Sequence, residues 1–568
     1  MSNTRAYQAR PHYPPVGGNV ALGWDTAVGT LPARPIVLAV DGPEVQDWPE
    51  VVRQLQAALR AAGLQVSSRD THDWFRPWAD IEARTASPEL PDDPDFATLT
   101  DAVLGDLVVV PELGAPASGV LLVHGPGAAL AYHDLLWYAD LPKRYAEAAV
   151  GAGQGRNLGQ PEGAGRATTR RLFYIDWPIQ DRHRDAVAPG VDRWVDAQDP
   201  ASPPSLDGAT LRASLAALAQ HPFRVQPTFM TVSWGGHWVQ RVLGGNVGER
   251  NSGITYELIA PENGVLIGDD AEHPVEVPFQ LLVALAPDAV LGPAVHATFG
   301  TSFPIRFDYL DTVDGGNLSV HCHPMAEYMR RTFGWPYTQH ESYYVMVGGE
   351  GSVIFLGLRE DVDLEQFERQ AHEATAHGRE FDILRYVQSH PATQHQLFAV
   401  PAGTPHGSGK GNVVLEVSAT PYLYSLRFYD WLRRDEKGRL RPVHVDHAFA
   451  NLQHDHVGRA VTEDLIRPAR TLRAGDGWRE EALSSLPEVF YEVRRLVLES
   501  GAQVQDDTAG RFHILNVVEG PGLVIETHAG DVHDLAYAET IVVPAAVGPY
   551  RVRSTTGEPV LVVKALVR

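Results

Sequence analysis

The sequence predicts a multidomain protein in which one α/β domain is followed by two all-β domains. Its 568 residues are too many for one hydrophobic core. The first 225 residues or so alternate apolar runs with helix-like stretches, and the remainder shows short alternating strands punctuated by Gly and Pro. We therefore divide the chain into a flexible tail (1–34), an α/β domain (35–225), a β domain (226–475) and a second β domain (476–568).

Composition and charge narrow the classes of function. The hydrophobic share of 44% and the charged share of 21% are those of a globular protein, and no apolar run approaches the ~20 residues that a membrane-spanning helix needs. A formal net charge of -24 disfavours nucleic acid and anionic membranes as partners. The single cysteine, Cys322, excludes an intramolecular disulfide. Since the first residues also lack a secretory signal pattern, we expect a cytoplasmic location.

The first domain begins with a strand, a loop and a helix. Residues 36–40 (IVLAV) predict a buried strand, and Asp-Gly-Pro follows at 41–43. Apolar residues then recur at helical spacing before Gly63, namely Val51, Val52, Leu55 and Leu59. The runs GVLLVH (119–124) and RLFYID (171–176) predict further strands of a parallel sheet.

This arrangement resembles P-loop uridine kinase-like proteins, and the stretch PSLDGATLRASLAALAQHPFRVQP is similar to them as well. A working phosphate loop reads GxxxxGK(S/T), in which the lysine reaches the phosphates and the hydroxyl binds Mg²⁺. The corresponding stretch here, GPEVQDWPEVV, has neither the second glycine nor GK(S/T). The resemblance therefore implies a degenerate P-loop kinase-like domain, and we predict no kinase activity.

The second domain is predicted to be a β-sandwich or barrel. Alternating segments such as YYVMVGGEGSVIFLG, HQLFAVPAGTPHGSG and NVVLEVS predict its strands, and the charged stretch at 360–391 predicts a helical insert. A polar connection near 476–486 leads to the last β unit. That unit contains His513, His528 and His533 without the spacing of ligands on a strand, so we expect it to bind no metal.

One set of residues in the second domain has the pattern of a metal site. His321 and His323 lie two apart in the strand-like segment NLSVHCHP, so their side chains leave the same face. Glu341 opens the next strand, and His406 follows the turn PAGTP. A single histidine among 24 is most often a surface or core residue. Three imidazoles and a carboxylate in this order are far more specific, and they suit Zn²⁺, Fe²⁺, Mn²⁺ or Ni²⁺.

From about residue 226 onward the chain resembles the type I phosphomannose isomerase family. The resemblance is carried by WGG (234–236) and by the segments FPIRFDYLDTVDGGNLSVHCHP, HESYYVMVGGEGSVIFLGL, LFAVPAGTPHGSGKGNVVLEVS and LRFYDWLRRDEKGRLRPVHVDHAF. It implies a jelly-roll cupin domain that binds one divalent metal, with Zn²⁺ the leading candidate, and a further cupin-like domain at the C-terminus. The family's metal ligands fall on His321, His323, Glu341 and His406, where His321 replaces the family's glutamine.

The same resemblance implies two catalytic residues. Arg427 in LRFYDW matches the family arginine at the mouth of the site, and Glu416 in VVLEVS matches a family glutamate that would transfer a proton or orient a ligand. Without the resemblance, a surface salt bridge for Arg427 and a structural ion pair for Glu416 would be the favoured interpretations. Asp308 and Gln339 stand where the family has lysines, which leaves the phosphorylation of the substrate open.

The leading expectation is a metal-dependent aldose–ketose isomerase. It would interconvert mannose 6-phosphate and fructose 6-phosphate, or a close analogue, by moving a proton between C1 and C2 through a cis-enediolate. The expected partner is a sugar or sugar phosphate, and the sequence leaves the oligomeric state open. Two alternatives stay open: an isomerase of unphosphorylated sugars, and a non-catalytic sugar-binding or regulatory cupin.

Overall fold

A computed structural model describes residues 6–435, 438–484, 486–554 and 557–568. Within them the chain builds a seven-stranded sheet with helices, then a six-stranded and a five-stranded sheet, then a second pair of sheets with six and four strands. The predicted order of one α/β unit and two β units is confirmed. No helix among the described residues is long and apolar enough to cross a membrane.

The N-terminal unit is built around a largely parallel sheet. The first strand of the chain, β1 (His12–Tyr13), lies outside this sheet. The strands of the sheet are β2 (Ala21–Leu22), β3 (Ile36–Asp41), β4 (Val66–Asp70), β5 (Val120–His124), β6 (Leu135–Asp140), β7 (Arg193–Asp196) and β8 (Pro204–Asp207), in the order β2-β8-β7-β6-β3-β5-β4. The strands from β7 to β4 in this order pair in parallel, whereas β8 is antiparallel to both β7 and β2. The helices are α1 (Gly23–Val28), α2 (Trp48–Ala61), α3 (Trp78–Arg84), α4 (Leu104–Leu107), α5 (Lys143–Ala152), α6 (Thr169–Arg171), α7 (Trp177–Val187) and α8 (Gly208–Leu218). Alternate residues of β3 pack into two different apolar clusters, which is why the strand is apolar throughout. The predicted strand, loop and helix at 36–63 are confirmed.

The predicted strand at 171–176 is wrong. Leu172–Asp176 is a helical turn that joins α6 to α7, and the sheet takes its further strands from β6 and β7. Leu172 packs against α5, whereas Tyr174 and Ile175 pack toward the second domain. Because this helix is buried on more than one side, its sequence is apolar without a helical stripe, and a short run of that kind cannot be distinguished from a strand.

The prediction of a flexible tail at 1–34 is wrong for its described part. The helix α1 buries Trp24, Ala27 and Val28, and β1 pairs in parallel with residues 266–267 of the second domain. The Tyr7 hydroxyl donates a hydrogen bond to Glu257. These contacts depend on residues far along the chain, which local sequence patterns do not reveal.

The second unit is a two-sheet β domain. Its strands are β9 (Thr228–Met230), β10 (Ile254–Leu258), β11 (Gly264–Ile267), β12 (Val275–Pro278), β13 (Ile305–Asp311), β14 (Val320–Cys322), β15 (Glu341–Gly348), β16 (Val353–Leu358), β17 (Val387–Pro391), β18 (Leu397–Val400), β19 (His406–Ser408), β20 (Asn412–Ala419) and β21 (Leu426–Tyr429). One sheet has the order β18-β15-β20-β13-β10-β9 and the other β17-β16-β19-β14-β21, while β1, β11 and β12 form a small third sheet. The helices are α9 (Phe279–Leu285), α10 (Pro287–Val290), α11 (Pro293–Phe299), α12 (Ala326–Tyr328), α13 (Leu364–His377) and α14 (Val445–Ala450).

The helical insert predicted at 360–391 is confirmed in its first part. It contains α13, which Asp363 caps by accepting a hydrogen bond from the Gln366 backbone nitrogen. Its last five residues instead form β17, which pairs with β16. The burial of β17 alternates only partly, so its sequence carries a weak strand signal.

The last unit also consists of two sheets, and it begins earlier than predicted. Its strands are β22 (Arg470–Gly475), β23 (Trp478–Ser484), β24 (Tyr491–Leu498), β25 (Gln503–Asp507), β26 (His513–Glu519), β27 (Gly522–Thr527), β28 (Val532–Ala536), β29 (Thr540–Val543), β30 (Pro549–Ser554) and β31 (Val560–Val567). The predicted boundary at 476 falls inside the hairpin of β22 and β23, where Gly477 has a φ of 70°. The polar residues that predicted a linker are a tight turn.

We expect Tyr7→Phe to lower the free energy of unfolding by about 1–3 kcal/mol, because the buried Glu257 loses a hydrogen bond and gains no water. Urea-induced unfolding monitored by fluorescence measures the change. Tyr132→Phe is the matched control, because Tyr132 is 60% exposed and a surface change of this kind costs less than ~0.5 kcal/mol. Equal stability of the two variants would contradict the role assigned to the N-terminal segment.

Candidate metal centre

Three histidines and a glutamate meet between the two sheets of the second domain. His321 on β14 lies directly opposite His406 on the antiparallel strand β19, and Glu341 is the first residue of β15 in the other sheet. One potential ligand atom from each of these residues and from His323 lies within 4.8 Å of the others, and all four residues are buried. The four predicted ligands are therefore brought together, while Cys322 packs on the opposite side in an apolar cluster.

Backbone carbonyls hold the three imidazoles in one orientation. His321 Nδ1 lies 2.9 Å from Ser319 O, His406 Nδ1 lies 2.9 Å from Thr404 O, and His323 Nδ1 lies 3.2 Å from Tyr424 O. A carbonyl only accepts, so each Nδ1 carries the hydrogen and each Nε2 keeps its lone pair. Burial and the neighbouring imidazoles of His406 and His323 also lower the pKa of His321 well below its usual value. Neutral imidazoles with free Nε2 atoms are the form that binds metals.

Glu341 supplies the negative charge of the site. Its carboxylate oxygens lie 2.8 Å from His323 Nε2 and 3.1 Å from His406 Nε2, and the Gln339 amide donates a hydrogen bond of 2.6 Å to the same carboxylate. Burial opposes ionisation, but the adjacent His323 and His406 hold the pKa of Glu341 well below its usual range. The group is a carboxylate, which is the state required of a ligand.

These residues fit a divalent metal. The donor set is three nitrogens and one carboxylate, and its buried His323 Nε2 faces Glu341 without the geometry of a hydrogen bond. Mixed nitrogen and oxygen donors of this kind suit Zn²⁺ and its first-row neighbours, and they do not distinguish among these ions.

Arg427 and Glu416 lie at the same site. Arg427 on β21 is opposite His321, and Glu416 on β20 lies between Asp308 on β13 and Tyr343 on β15. Both line a cavity of about 350 Å³ together with His321 and Glu341. We call this space the metal-site cavity.

Sequence comparison finds similar proteins among curated bacterial enzymes. The chain is 27% identical over 314 residues to the mannose-6-phosphate isomerase of Streptococcus mutans, covering 53% of this chain and 86% of that protein. It is 25% identical over 260 residues to "Probable mannose-6-phosphate isomerase GmuF" of Bacillus subtilis, covering 43% of this chain and 72% of that protein. The chain is similar to bacterial mannose-6-phosphate isomerases.

The chain also matches a solved structure and a family model. The solved structure of the mannose 6-phosphate isomerase from Bacillus subtilis matches with 19% identity and a TM-score of 0.48, covering 61% of this chain and 99% of that one. Residues 23–220 match a family described as a domain of unknown function, DUF8485. The kinase-like interpretation of that domain stays a prediction.

Sequence reasoning missed the residue that neutralises the acidic side of this site. Arg306 is buried, and its guanidinium lies 2.5 Å from Glu416, 3.3 Å from Glu341 and 3.4 Å from Asp308. A charged residue inside the fully buried strand β13 was the signal that could have revealed it, since an arginine is almost never fully buried without a partner. The ion pair considered for Glu416 therefore exists, with Arg306, inside the cavity.

For Arg427, the surface salt bridge is not found. In the parts of the chain that the structure describes, no carboxylate lies within ion-pair distance of its guanidinium, whose Nη1 donates to Pro442 O at 3.1 Å. Burial and the nearby charge of Arg441 lower the pKa of Arg427. This is the environment of a cation that faces a cavity.

Asp308 and Gln339 also line the metal-site cavity. Asp308 Oδ1, Gln339 Oε1 and the Tyr343 hydroxyl are buried and lack a hydrogen-bond partner among the described residues. Burial, partly offset by Arg306, raises the pKa of Asp308 to about 7. Three unpaired polar atoms at one cavity suit a ligand that carries several hydroxyl groups.

We expect His406→Ala to lose bound divalent metal, because the site would keep only two imidazoles and the carboxylate. Metal content per chain, measured by inductively coupled plasma mass spectrometry after purification, reports the change. His454→Ala changes an exposed histidine and should keep the wild-type content. If His406→Ala retained full metal content, the ligand set would be wrong.

Proposed function

We propose that the chain is a metal-dependent aldose–ketose isomerase that interconverts mannose 6-phosphate and fructose 6-phosphate or a close analogue. The observation that carries the proposal is the buried group of His321, His323, Glu341 and His406, which borders a cavity that also holds Glu416 and Arg427. The relatives named mannose-6-phosphate isomerase support the same reaction. We favour Zn²⁺, which binds to imidazole and carboxylate ligands in this number.

The reaction needs a base near C1 and C2 and positive charge near the sugar oxygens. A divalent metal bound by His321, His323, Glu341 and His406 would supply Lewis acidity toward those oxygens. The protein must still carry the proton, hold the sugar and keep water away from the enediolate. The burial of the ligands and the walls of the cavity provide the exclusion of water.

Glu416 is the proposed proton carrier. Ser418 and Arg306 both donate hydrogen bonds to its Oε1. These two contacts fix the carboxyl group and do not involve Oε2. Burial and the Glu341 carboxylate raise the pKa of Glu416 well above its usual value, against the charge of Arg306. A carboxylate with a raised pKa is a stronger base toward a carbon acid, and it retains the proton until the proton returns to the neighbouring carbon.

Arg427 is proposed to stabilise negative charge on the substrate. Its position opposite His321 brings a guanidinium next to the metal ligands. The donors of a guanidinium form a fixed fork that matches an enediolate or a phosphate, and its charge persists at every working pH.

An isomerase of unphosphorylated sugars is the second candidate, and one observation favours it. Asp308 places an acidic group in the cavity, and a carboxylate accepts hydrogen bonds from hydroxyl groups but repels phosphate. Turnover of free mannose in preference to mannose 6-phosphate would select this candidate.

The test is a coupled isomerase assay on the metal-loaded protein, with mannose 6-phosphate and free mannose side by side. We expect Glu416→Gln to lower kcat by about 10²–10⁴, because the general base is lost, and to leave the metal content unchanged. Glu365→Gln is the matched control, since Glu365 lies on the surface of α13 with its side chain 91% exposed. Bound metal without turnover of either sugar would reject the proposed reaction.

A further inference from the structure

The metal-site cavity is formed by two domains. Alongside the cupin residues, the N-terminal domain contributes residues 94–96 and four residues near the start of the helical segment α6–α7: Thr169, Arg170, Phe173 and Tyr174. Packing fixes this boundary, because Phe96 lies 5.3 Å from the Phe333 ring and 4.7 Å from the His444 ring. A ligand in the cavity therefore meets side chains of the domain of unknown function.

Four arginines line this cavity, and two of them are neutralised by carboxylates. Arg306 lies between Glu416, Glu341 and Asp308, as described above. Arg441 Nη1 lies 2.8 Å from Asp430 Oδ2. Because carboxylates already neutralise these two guanidiniums, neither one needs an anionic ligand.

The other two, Arg427 and Arg170, line the cavity without a carboxylate in ion-pair contact among the described residues. Arg170 Nε donates to Phe96 O at 2.6 Å and its Nη2 donates to Leu90 O at 3.0 Å, so carbonyls rather than carboxylates hold it. Across the described ranges, no carboxylate lies within 4.0 Å of either guanidinium. Asp95 is the acidic residue that the N-terminal domain contributes to the cavity lining, and it lies 3.6 Å from His444 Nε2.

We propose that Arg170 of the N-terminal domain and Arg427 of the cupin domain together form the anion subsite that binds the phosphate of the sugar substrate. This inference rests on the proposed isomerase function and specifies its substrate class as phosphorylated. It also gives the N-terminal domain a role, since the domain provides half of the subsite. Arg170 is a binding residue in this scheme and takes no part in proton transfer.

The chemistry of the two groups suits a phosphate. Guanidinium forks bind phosphate oxygens through two parallel hydrogen bonds, and such charge-assisted bonds are about twice as strong as neutral ones. The carbonyls of Leu90 and Phe96 fix two of the Arg170 nitrogens, so little side-chain entropy remains to be lost when a ligand binds. Arg170 is therefore held in place before the substrate arrives.

The test compares Arg170→Ala and Arg170→Gln with the wild type by steady-state kinetics on mannose 6-phosphate and on free mannose. We expect the KM for mannose 6-phosphate to rise about tenfold or more in both variants, with kcat and any activity on free mannose unchanged. Arg182→Ala is the matched control. The Arg182 side chain also clamps loop carbonyls, those of Thr100 and Ala102, but it does not line the metal-site cavity.

A binding experiment separates failure of this inference from failure of the proposed reaction. Calorimetric titration of inorganic phosphate into the zinc-loaded protein should show binding that Arg170→Ala weakens about tenfold and Arg182→Ala does not. This result would support the subsite even if mannose 6-phosphate were not isomerised. An unchanged KM and phosphate affinity in Arg170→Ala, equal losses in Arg182→Ala, or no phosphate binding by the wild type would each overturn the inference.

Discussion

The buried carboxylate of Glu341 is the group on which the arrangement of the site depends. A carboxylate removed from water is costly unless charges and hydrogen bonds compensate it, and here His323, His406, Gln339 and Arg306 do so. These partners come from both sheets of the domain, so the registers of several strands must be correct together. A slip of one residue in β14 would turn His321 away from the centre and Cys322 into it.

Much of this centre could be predicted from the sequence because its information is local. The spacing of two between His321 and His323 follows directly from the alternation of side chains along an extended chain. The pairing of Arg306 with Glu416 could not be read in this way, since it depends on the register of β13 against β20, more than 100 residues apart. The same limit explains two errors. Burial by distant elements made the helical turn at 172–176 look like a strand, and the tight turn between β22 and β23 looked like a linker between domains.

The contact between the N-terminal domain and the metal-site cavity was the feature that the sequence indicated least. Nothing in residues 90–96 marks them as part of a cavity whose other residues lie mostly more than 200 positions away in the chain. The structure joins them through Asp93, which lies 2.7 Å from His447 Nε2, and through the Phe96 ring, which packs among aromatic residues of the second domain. A domain that lacks a working phosphate loop in its own sequence thus helps to enclose the cavity of its neighbour.

The N-terminal segment has a consequence for how the chain is made. The Gln8 backbone nitrogen donates to Glu539 at 2.8 Å, across 531 positions, and Tyr7 bonds to Glu257. Ribosomes add about 5–20 residues per second, so residues 7 and 8 leave the ribosome on the order of a minute before the C-terminal partner exists. The three domains can fold in turn, but this contact is available only after residue 539 has been made. It therefore distinguishes chains that contain the last β unit from chains truncated before it.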